Sequence, residues 1–88
     1  MDGRTPILWA AGLGHADVVG LLMELGADIQ KEDNDGRTPL HHAAINGMVE
    51  VVRRLGMGGA DLNRADKDGW TPLDVASDGE IKRLLQSP

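Results

Sequence analysis

The chain has 88 residues, a length that allows one small domain and excludes a multidomain enzyme. It carries 9 basic and 14 acidic residues, and its net charge of −5 disfavours nucleic acids and anionic membranes as partners. The absence of cysteine excludes disulfides and thiolate metal sites, and it favours an intracellular location in the cytoplasm or nucleus. No stretch is long and apolar enough to predict a membrane span.

The sequence repeats itself with a period of 33 residues. The segment DGRTP occurs at residues 2–6 and again at 35–39, and DGWTP follows at 68–72. Between residues 2–34 and 35–67, 15 of 33 positions are identical, whereas unrelated sequences would share about two. We therefore divide a single domain, residues 1–88, into repeat 1 (2–34), repeat 2 (35–67) and a truncated capping repeat (68–88).

Each repeat predicts two short helices. A Thr-Pro pair marks the first helix, because threonine is a good N-cap and proline suits the first helical position. In repeat 1, apolar residues at 18, 19, 21 and 22 form the stripe of the second helix. In repeat 2, the first helix is expected from Pro39 to about Ile45 and the second from about Val49 to Leu55, with early fraying at the glycine-rich residues 56–59.

The capping repeat is shortened. Its second helix lies about three residues early if Ile81 takes the place of Val51. The charged residues Glu80, Lys82 and Arg83 suit a face with no further neighbour. Helices this short are marginal alone, so the repeats must stack, and the Ala pairs at 10–11 and 43–44 let neighbouring helices approach closely. The sequence predicts an all-α solenoid.

These residues resemble the ankyrin repeat. Repeat 2 is the best match, with Gly-Arg-Thr-Pro-Leu-His at 36–41, Ala-Ala at 43–44, Gly47 and Gly-Ala-Asp at 59–61. The resemblance implies stacked antiparallel helix pairs, joined by β-hairpin or turn fingers, with a concave groove that binds proteins. Only His41 keeps the histidine of the pattern, since Leu8 and Asp74 replace it in the other repeats, and we expect those two repeats to lose its hydrogen bond.

The start of the chain carries no polar capping helix before repeat 1. We therefore expect Leu8, Trp9 and Leu13 to be partly open. Two explanations stand: the chain is a piece of a longer or engineered array, or this end is buried against a second copy and the protein is a homo-oligomer.

Catalytic and metal chemistry are disfavoured. His41 and His42 are adjacent and diverge by about 100° on a helix, so we expect a structural His41 and a partly exposed His42 rather than a metal site. Serine occurs only at Ser77 and Ser87, away from the histidines, so no triad is expected and the protein is not predicted to be an enzyme. The acidic residues at 32–35 and 66–68 lack a calcium-loop pattern and are predicted to be solvated turn carboxylates, and no cofactor is expected.

The resemblance also implies a set of partner-contacting residues. They occupy non-repeated positions of the finger tips and first helices: Arg4, Gly12, Leu13, Asn34, Asp35, Arg37, Ile45, Asn46, Lys67, Asp68, Trp70 and Asp78. Trp70 is the leading candidate anchor, and the alternative is that its ring only covers the last finger. Residues 1–35 carry seven acidic and two basic side chains, a field that would steer a basic partner or only aid solubility.

One narrower resemblance concerns Asn63. With Leu55 and Asp61 it has the spacing of ankyrin hairpins that resemble substrates of asparaginyl hydroxylase; the alternative is that Asn63 serves only the turn. For the whole chain we predict a non-catalytic scaffold that binds a protein partner. The alternative is a structural or regulatory segment of a larger ankyrin protein, with no binding of its own.

Overall fold

The computed structural model describes residues 3–86, which form six helices in three pairs. These are α1 (Pro6–Leu13), α2 (Ala16–Glu24), α3 (Pro39–Ile45), α4 (Val49–Met57), α5 (Pro72–Val75) and α6 (Gly79–Gln86). Residues 3–86 contain no strand, so the fingers are turns rather than β-hairpins. The expected ends of the outer repeats, at residue 2 and at 87–88, lie outside the described residues, and the repeat bounds stay predictions.

The helices form two layers. Helices α1, α3 and α5 stack side by side in an inner layer, and α2, α4 and α6 stack in an outer layer. The Ala pairs at 10–11 and 43–44 are at most 5% exposed, which confirms that small side chains let the inner helices approach closely. Val52, Leu55 and Ile81 fill the space between the layers. The all-α solenoid is therefore confirmed.

The first turn of α3 is closed by a reciprocal pair of hydrogen bonds. The Thr38 N–H donates to His41 Nδ1 at 3.1 Å, and the His41 N–H donates to Thr38 Oγ1 at 3.4 Å. Because Nδ1 accepts, the proton of the ring lies on Nε2, which donates to the Trp70 carbonyl oxygen at 2.8 Å. His41 therefore joins its own helix start to the finger of the next repeat.

In the capping repeat, the carboxylate of Asp74 closes the first turn of α5 in the same way. The Thr71 N–H donates to Asp74 Oδ2 at 2.9 Å, and the Asp74 N–H donates to Thr71 Oγ1 at 3.2 Å. The expectation that two repeats lose this bond is therefore wrong for Asp74. It holds for repeat 1, where the side chain of Leu8 has no polar atom and the buried Thr5 Oγ1 has no hydrogen-bond partner.

Helix α4 continues past the point at which fraying was expected. It runs through Gly56 to Met57, so it matches the nine-residue α2 in length and in register. The prediction of an early end is wrong because Val52 and Leu55, at most 2% exposed, hold this helix against its neighbours. Their burial outweighs the cost of about 1 kcal/mol for an interior glycine.

The capping repeat is shortened as expected. Ile81 is the third residue of α6, as Val51 is of α4, and both are at most 1% exposed. Helix α5 has four residues, after which Ala76 adopts an extended conformation. Asp78 Oδ1 then accepts the N–H groups of Glu80 and Ile81 at 2.9 and 3.0 Å, which caps the start of α6.

Candidate protein-binding groove

The fingers that precede α3 and α5 are turns at residues 33–37 and 66–70, and each is organised by a buried aspartate. The two aspartates are 33 residues apart. Asp33 Oδ1 accepts the N–H groups of Asp35 and Arg37 at 2.9 and 3.1 Å. Asp66 Oδ1 accepts the equivalent N–H groups of Asp68 and Trp70, both at 2.9 Å. The prediction of solvated carboxylates is wrong for these two, which are 7% and 6% exposed. The signal that could have found them is their repetition at one position of the 33-residue unit.

The hydrogen bonds decide the ionisation of both carboxyls. Burial raises the pKa of Asp33, but hydrogen bonds from His42 and from the N–H groups of Arg37 and Asp35 outweigh it, so the pKa lies below its ordinary value. Burial likewise raises the pKa of Asp66, and the bonds that it accepts again lower the pKa overall. Both side chains are therefore carboxylates at neutral pH.

His42 is buried rather than partly exposed. Its Nε2 lies 2.8 Å from Asp33 Oδ2, and both side chains are less than a tenth exposed. The prediction is wrong because the partner lies nine residues earlier, on the finger, where no helical spacing indicates a contact. This pair connects the finger that precedes α3 to that inner helix.

Neighbouring fingers also contact each other through the backbone. The Lys67 N–H donates to the Asp35 carbonyl oxygen at 3.0 Å. Gly36 lies at this contact with a φ of 75°, in the left-handed region that glycine adopts readily. The two fingers are thus held in a fixed relation to each other.

A groove with a volume of about 300 Å³ opens between α1 and α3, beside the fingers. We call it the α1–α3 groove. It brings together six of the predicted contact residues. Its lining is Arg4, Leu8, Trp9, Gly12, Leu13, Arg37, His42, Ile45 and Asn46.

Three groove residues were missing from the predicted contact set, and Trp9 is the exposed one, since Leu8 and His42 are buried. Trp9 is 49% exposed, and the Cζ atom of Arg4 lies 4.9 Å from the centre of its ring, within cation–π range. The signal was available, since Trp9 takes the position of His42 and is not repeated. The expected openness is confirmed for Trp9 and for Leu13, which is 61% exposed, and it is wrong for Leu8, which is 1% exposed and forms the floor.

The opposite edge of the groove is formed by α3. Asn46 is exposed, and its Nδ2 donates to the Gly12 carbonyl oxygen at 2.9 Å, so it also links α3 to α1. Ile45 is half-buried beside it. Arg37 comes from the finger, with Nε 3.5 Å from Asp66 Oδ2, and its side chain is 34% exposed.

The other predicted contact residues lie outside the α1–α3 groove. Trp70 is 52% exposed on the last finger, so about half of its surface remains available to a partner. Asp78 is half-buried and caps α6, which gives it a structural role. Asn63 is exposed, its N–H donates to Asp61 Oδ1 at 2.9 Å, and its hydroxylation stays a prediction. The remaining four are exposed on the fingers: Asn34, Asp35, Lys67 and Asp68.

Two further features bear on chemistry. Within residues 3–86, no three His, Cys, Asp or Glu side chains are grouped so that they could hold a metal ion. None of the helices in that part of the chain combines the length and apolar character that crossing a membrane requires.

Comparison with known proteins identifies the family. A family model described as ankyrin repeats, in three copies, matches residues 7–87. No curated protein matches the chain. Ankyrin repeats generally mediate protein–protein interactions and are typically non-catalytic. Because the match spans nearly the whole sequence, and the six helices stack in three pairs, the chain belongs to the ankyrin-repeat family.

Proposed function

We propose that this chain is a non-catalytic module that binds a protein partner through the α1–α3 groove and the exposed finger turns. The observation that carries the proposal is the groove itself, where side chains from two repeats and two fingers meet at one open surface. The lack of cysteine supports, as part of the same proposal, an intracellular site of action in the cytoplasm or nucleus.

Comparison of equivalent positions in the two repeats supports the groove as the binding surface. The inner helices carry the same alanines at 10–11 and 43–44, and these residues are buried in the stack. The two inner helices differ at the positions that line the groove. Trp9, Gly12 and Leu13 of α1 correspond to His42, Ile45 and Asn46 of α3. Stacking therefore uses the shared residues, and most of the differing side chains are left for recognition.

The test is affinity capture of a partner, followed by hydrogen-exchange mapping and measurement of Kd with two variants. Trp70→Ala is expected to weaken binding by more than about tenfold, because an exposed tryptophan is a common interface anchor. Met57→Ala is the matched control, since Met57 is 89% exposed on the outer helix α4 and should leave Kd unchanged. Equal affinities of the two variants, with protection confined to the outer helices, would contradict the proposal.

A second candidate is self-association, favoured by the exposure of one face of repeat 1. Val18 is 41% exposed, whereas Val51 at the same position of repeat 2 is 1% exposed because repeat 1 covers it. Pro6 is likewise exposed and Pro39 buried. A hollow of about 210 Å³ opens there, lined mainly by apolar residues that include Ile7 and Leu22.

We propose that this face contacts helix α6 of a second copy, head to tail. Asp17 and Asp28 are exposed on repeat 1, and α6 exposes Lys82, so the charges are complementary. Sedimentation velocity should show mass rising with concentration in the wild type and a monomer for Val18→Glu, with Met57→Glu as the control. A strictly monomeric wild type at high concentration counts against the contact, and it favours a segment that needs its parent protein.

A further inference from the structure

We propose that Ser77 is the acceptor of a phosphoryl group from a serine/threonine kinase that recognises acidic substrates. The inference goes beyond the proposed function and does not depend on it. It follows from the exposure of the Ser77 hydroxyl, from the early end of helix α5, and from the carboxylates that flank the residue in the sequence.

Ser77 differs in its exposure from the other hydroxyl side chains in the part of the chain that the structure describes. These others are three threonines, each at the N-cap of an inner helix. The Thr5 Oγ1 atom is buried, and Thr38 is 1% exposed. Thr71 is half-buried, and its Oγ1 accepts a backbone N–H group of α5 at 3.2 Å. Of these four hydroxyl groups, the one that another protein can reach is therefore that of Ser77.

The shortened helix α5 brings residue 77 to the surface. At the same position of the 33-residue unit, repeats 1 and 2 have Ala11 and Ala44, which are 0% exposed in the inner layer. Helix α5 ends at Val75, and Ala76 then adopts an extended conformation. Ser77 consequently lies exposed in the link between α5 and α6, whereas the two alanines are packed in the stack.

The charged side chains closest to Ser77 in the sequence are all acidic. Asp74 lies three residues before it, Asp78 directly after it, and Glu80 three residues after it. Residues 68–81 contain no lysine, arginine or histidine. Kinases select substrates partly by charge pattern, and basic side chains of an acid-directed kinase form charge-assisted hydrogen bonds with carboxylates near the acceptor. A kinase that requires arginine before the acceptor finds none here, so the pattern fits the acid-directed class.

The two carboxylates that follow Ser77 can be reached by a kinase. Both N–H groups that Asp78 caps bond to its Oδ1 atom, so Oδ2 takes part in neither bond. Glu80 forms an ion pair with Arg53, but the two side chains are 43% and 46% exposed. Because an exposed ion pair contributes little to stability, a basic side chain of a kinase can replace Arg53 at little cost. Gly79, between the two acids, is a poor helix former, which helps the first turn of α6 to open on the enzyme.

The reaction at Ser77 needs the kinase and ATP bound to Mg²⁺. The Ser77 Oγ atom attacks the γ-phosphorus of ATP, and a new P–O bond forms while the bond from that phosphorus to the β,γ-bridging oxygen breaks. ADP leaves with the bridging oxygen, and the hydroxyl proton passes to the catalytic aspartate of the kinase. The product is a phosphoserine with a charge of about −2 at neutral pH, directly before the residue that caps α6.

The first experiment incubates the whole chain with Mg²⁺, ATP and one of two purified kinases. Casein kinase II is acid-directed, whereas cyclic-AMP-dependent protein kinase requires basic residues before its acceptor. Circular dichroism before the reaction verifies that the chain is folded, and tandem mass spectrometry of proteolytic peptides locates the phosphate. We expect casein kinase II to phosphorylate Ser77, at a rate at least about tenfold higher than that of the second kinase.

Variants then separate recognition from stability. Ser77→Ala should abolish phosphorylation, and Glu80→Gln should lower the kcat/KM of casein kinase II by about tenfold. Arg53→Gln is the matched control, because it breaks the same ion pair but keeps the carboxylate of Glu80, and it should be phosphorylated at least as fast as the wild type. Glu24→Gln, which removes an exposed carboxylate from α2, should leave kcat/KM unchanged.

Three results would overturn the inference: no phosphate at Ser77 after treatment with casein kinase II, phosphate on a threonine at a comparable rate, or equal kcat/KM for Glu80→Gln and the wild type. A loss of rate in Arg53→Gln as large as that in Glu80→Gln would also count against it, because the ion pair rather than the carboxylate would then be the cause. None of these results bears on binding at the α1–α3 groove, so the proposed function is tested separately.

Discussion

Replacing His41 by leucine should lower the free energy of unfolding by about 2–3 kcal/mol, as measured by urea denaturation followed by circular dichroism. The variant loses the acceptor of the Thr38 N–H and the donor to the Trp70 carbonyl oxygen. Thr38 is 1% exposed, so water cannot easily replace the lost partner. The size of the side chain is not the cause, because Leu8 occupies the same position of repeat 1 and is itself buried.

Asp74→Leu is the matched control, one repeat further along the chain. It removes the equivalent local hydrogen bonds to Thr71, but Asp74 is exposed and makes no bond to a following repeat. We expect a loss of about 1 kcal/mol, the usual worth of a helix cap. Equal losses for the two variants would show that the bond from His41 to the next finger contributes nothing.

The same comparison has a pH dependence with a definite sign. Burial lowers the pKa of His41 below its ordinary value of 6.5, so the folded protein holds the neutral ring. This stabilisation is complete above pH 6.5 and is lost as pH falls from there through the lower folded pKa, because the unfolded chain takes up the proton first. The difference in unfolding free energy between wild type and His41→Leu should therefore shrink as the pH falls below 6.5. A stability difference that does not change with pH would contradict this prediction.

Gly36→Ala should also be strongly destabilising, by about 3 kcal/mol in the same assay. A Cβ atom on Gly36 would lie 2.9 Å from the Lys67 backbone nitrogen, and the φ of 75° is strained for alanine. The new methyl group would push apart the fingers that the hydrogen bond from Lys67 to Asp35 holds together.

Gly69→Ala separates the two causes. Gly69 has the same position in the last finger and a φ of 86°, but a Cβ there would meet nothing within 4 Å. Gly69→Ala should lower the free energy of unfolding only through backbone strain at positive φ, by about 1–2 kcal/mol. If both variants lose the same free energy of unfolding, the contact between neighbouring fingers is not a source of stability.

Much of the fold could be predicted because its signals are local and repeated. The Thr-Pro pair at 38–39 and the glycine at 47 fix the bounds of α3, which the structure places at Pro39–Ile45. The buried stripe of α4 and the burial of Ile81 in the capping repeat could also be predicted, because each depends on the spacing of apolar residues along one helix. The predicted end of α4 near Gly56 was wrong, because it relied on the low helix propensity of glycine. The burial of Leu55 against its neighbours outweighs that propensity.

The site was only partly predictable, because several of its contacts join separate elements. The pairing of His42 with Asp33 crosses from helix to finger, and no local pattern indicates it. The ion pair between Arg37 and Asp66 joins two fingers, and no local pattern indicates it either. Asp78 was assigned to the binding surface by its register, but the shortened α5 displaces it to the start of α6, where its carboxylate is used as a cap.

The paired alanines of the inner layer have a consequence for how such a protein changes over generations. Because residues 10–11 and 43–44 hold the inner helices together, most mutations at positions 9, 12, 13 and 45 alter the exposed surface while the buried contacts persist. If the groove binds a partner as proposed, its specificity can change by such mutations at little cost in foldability.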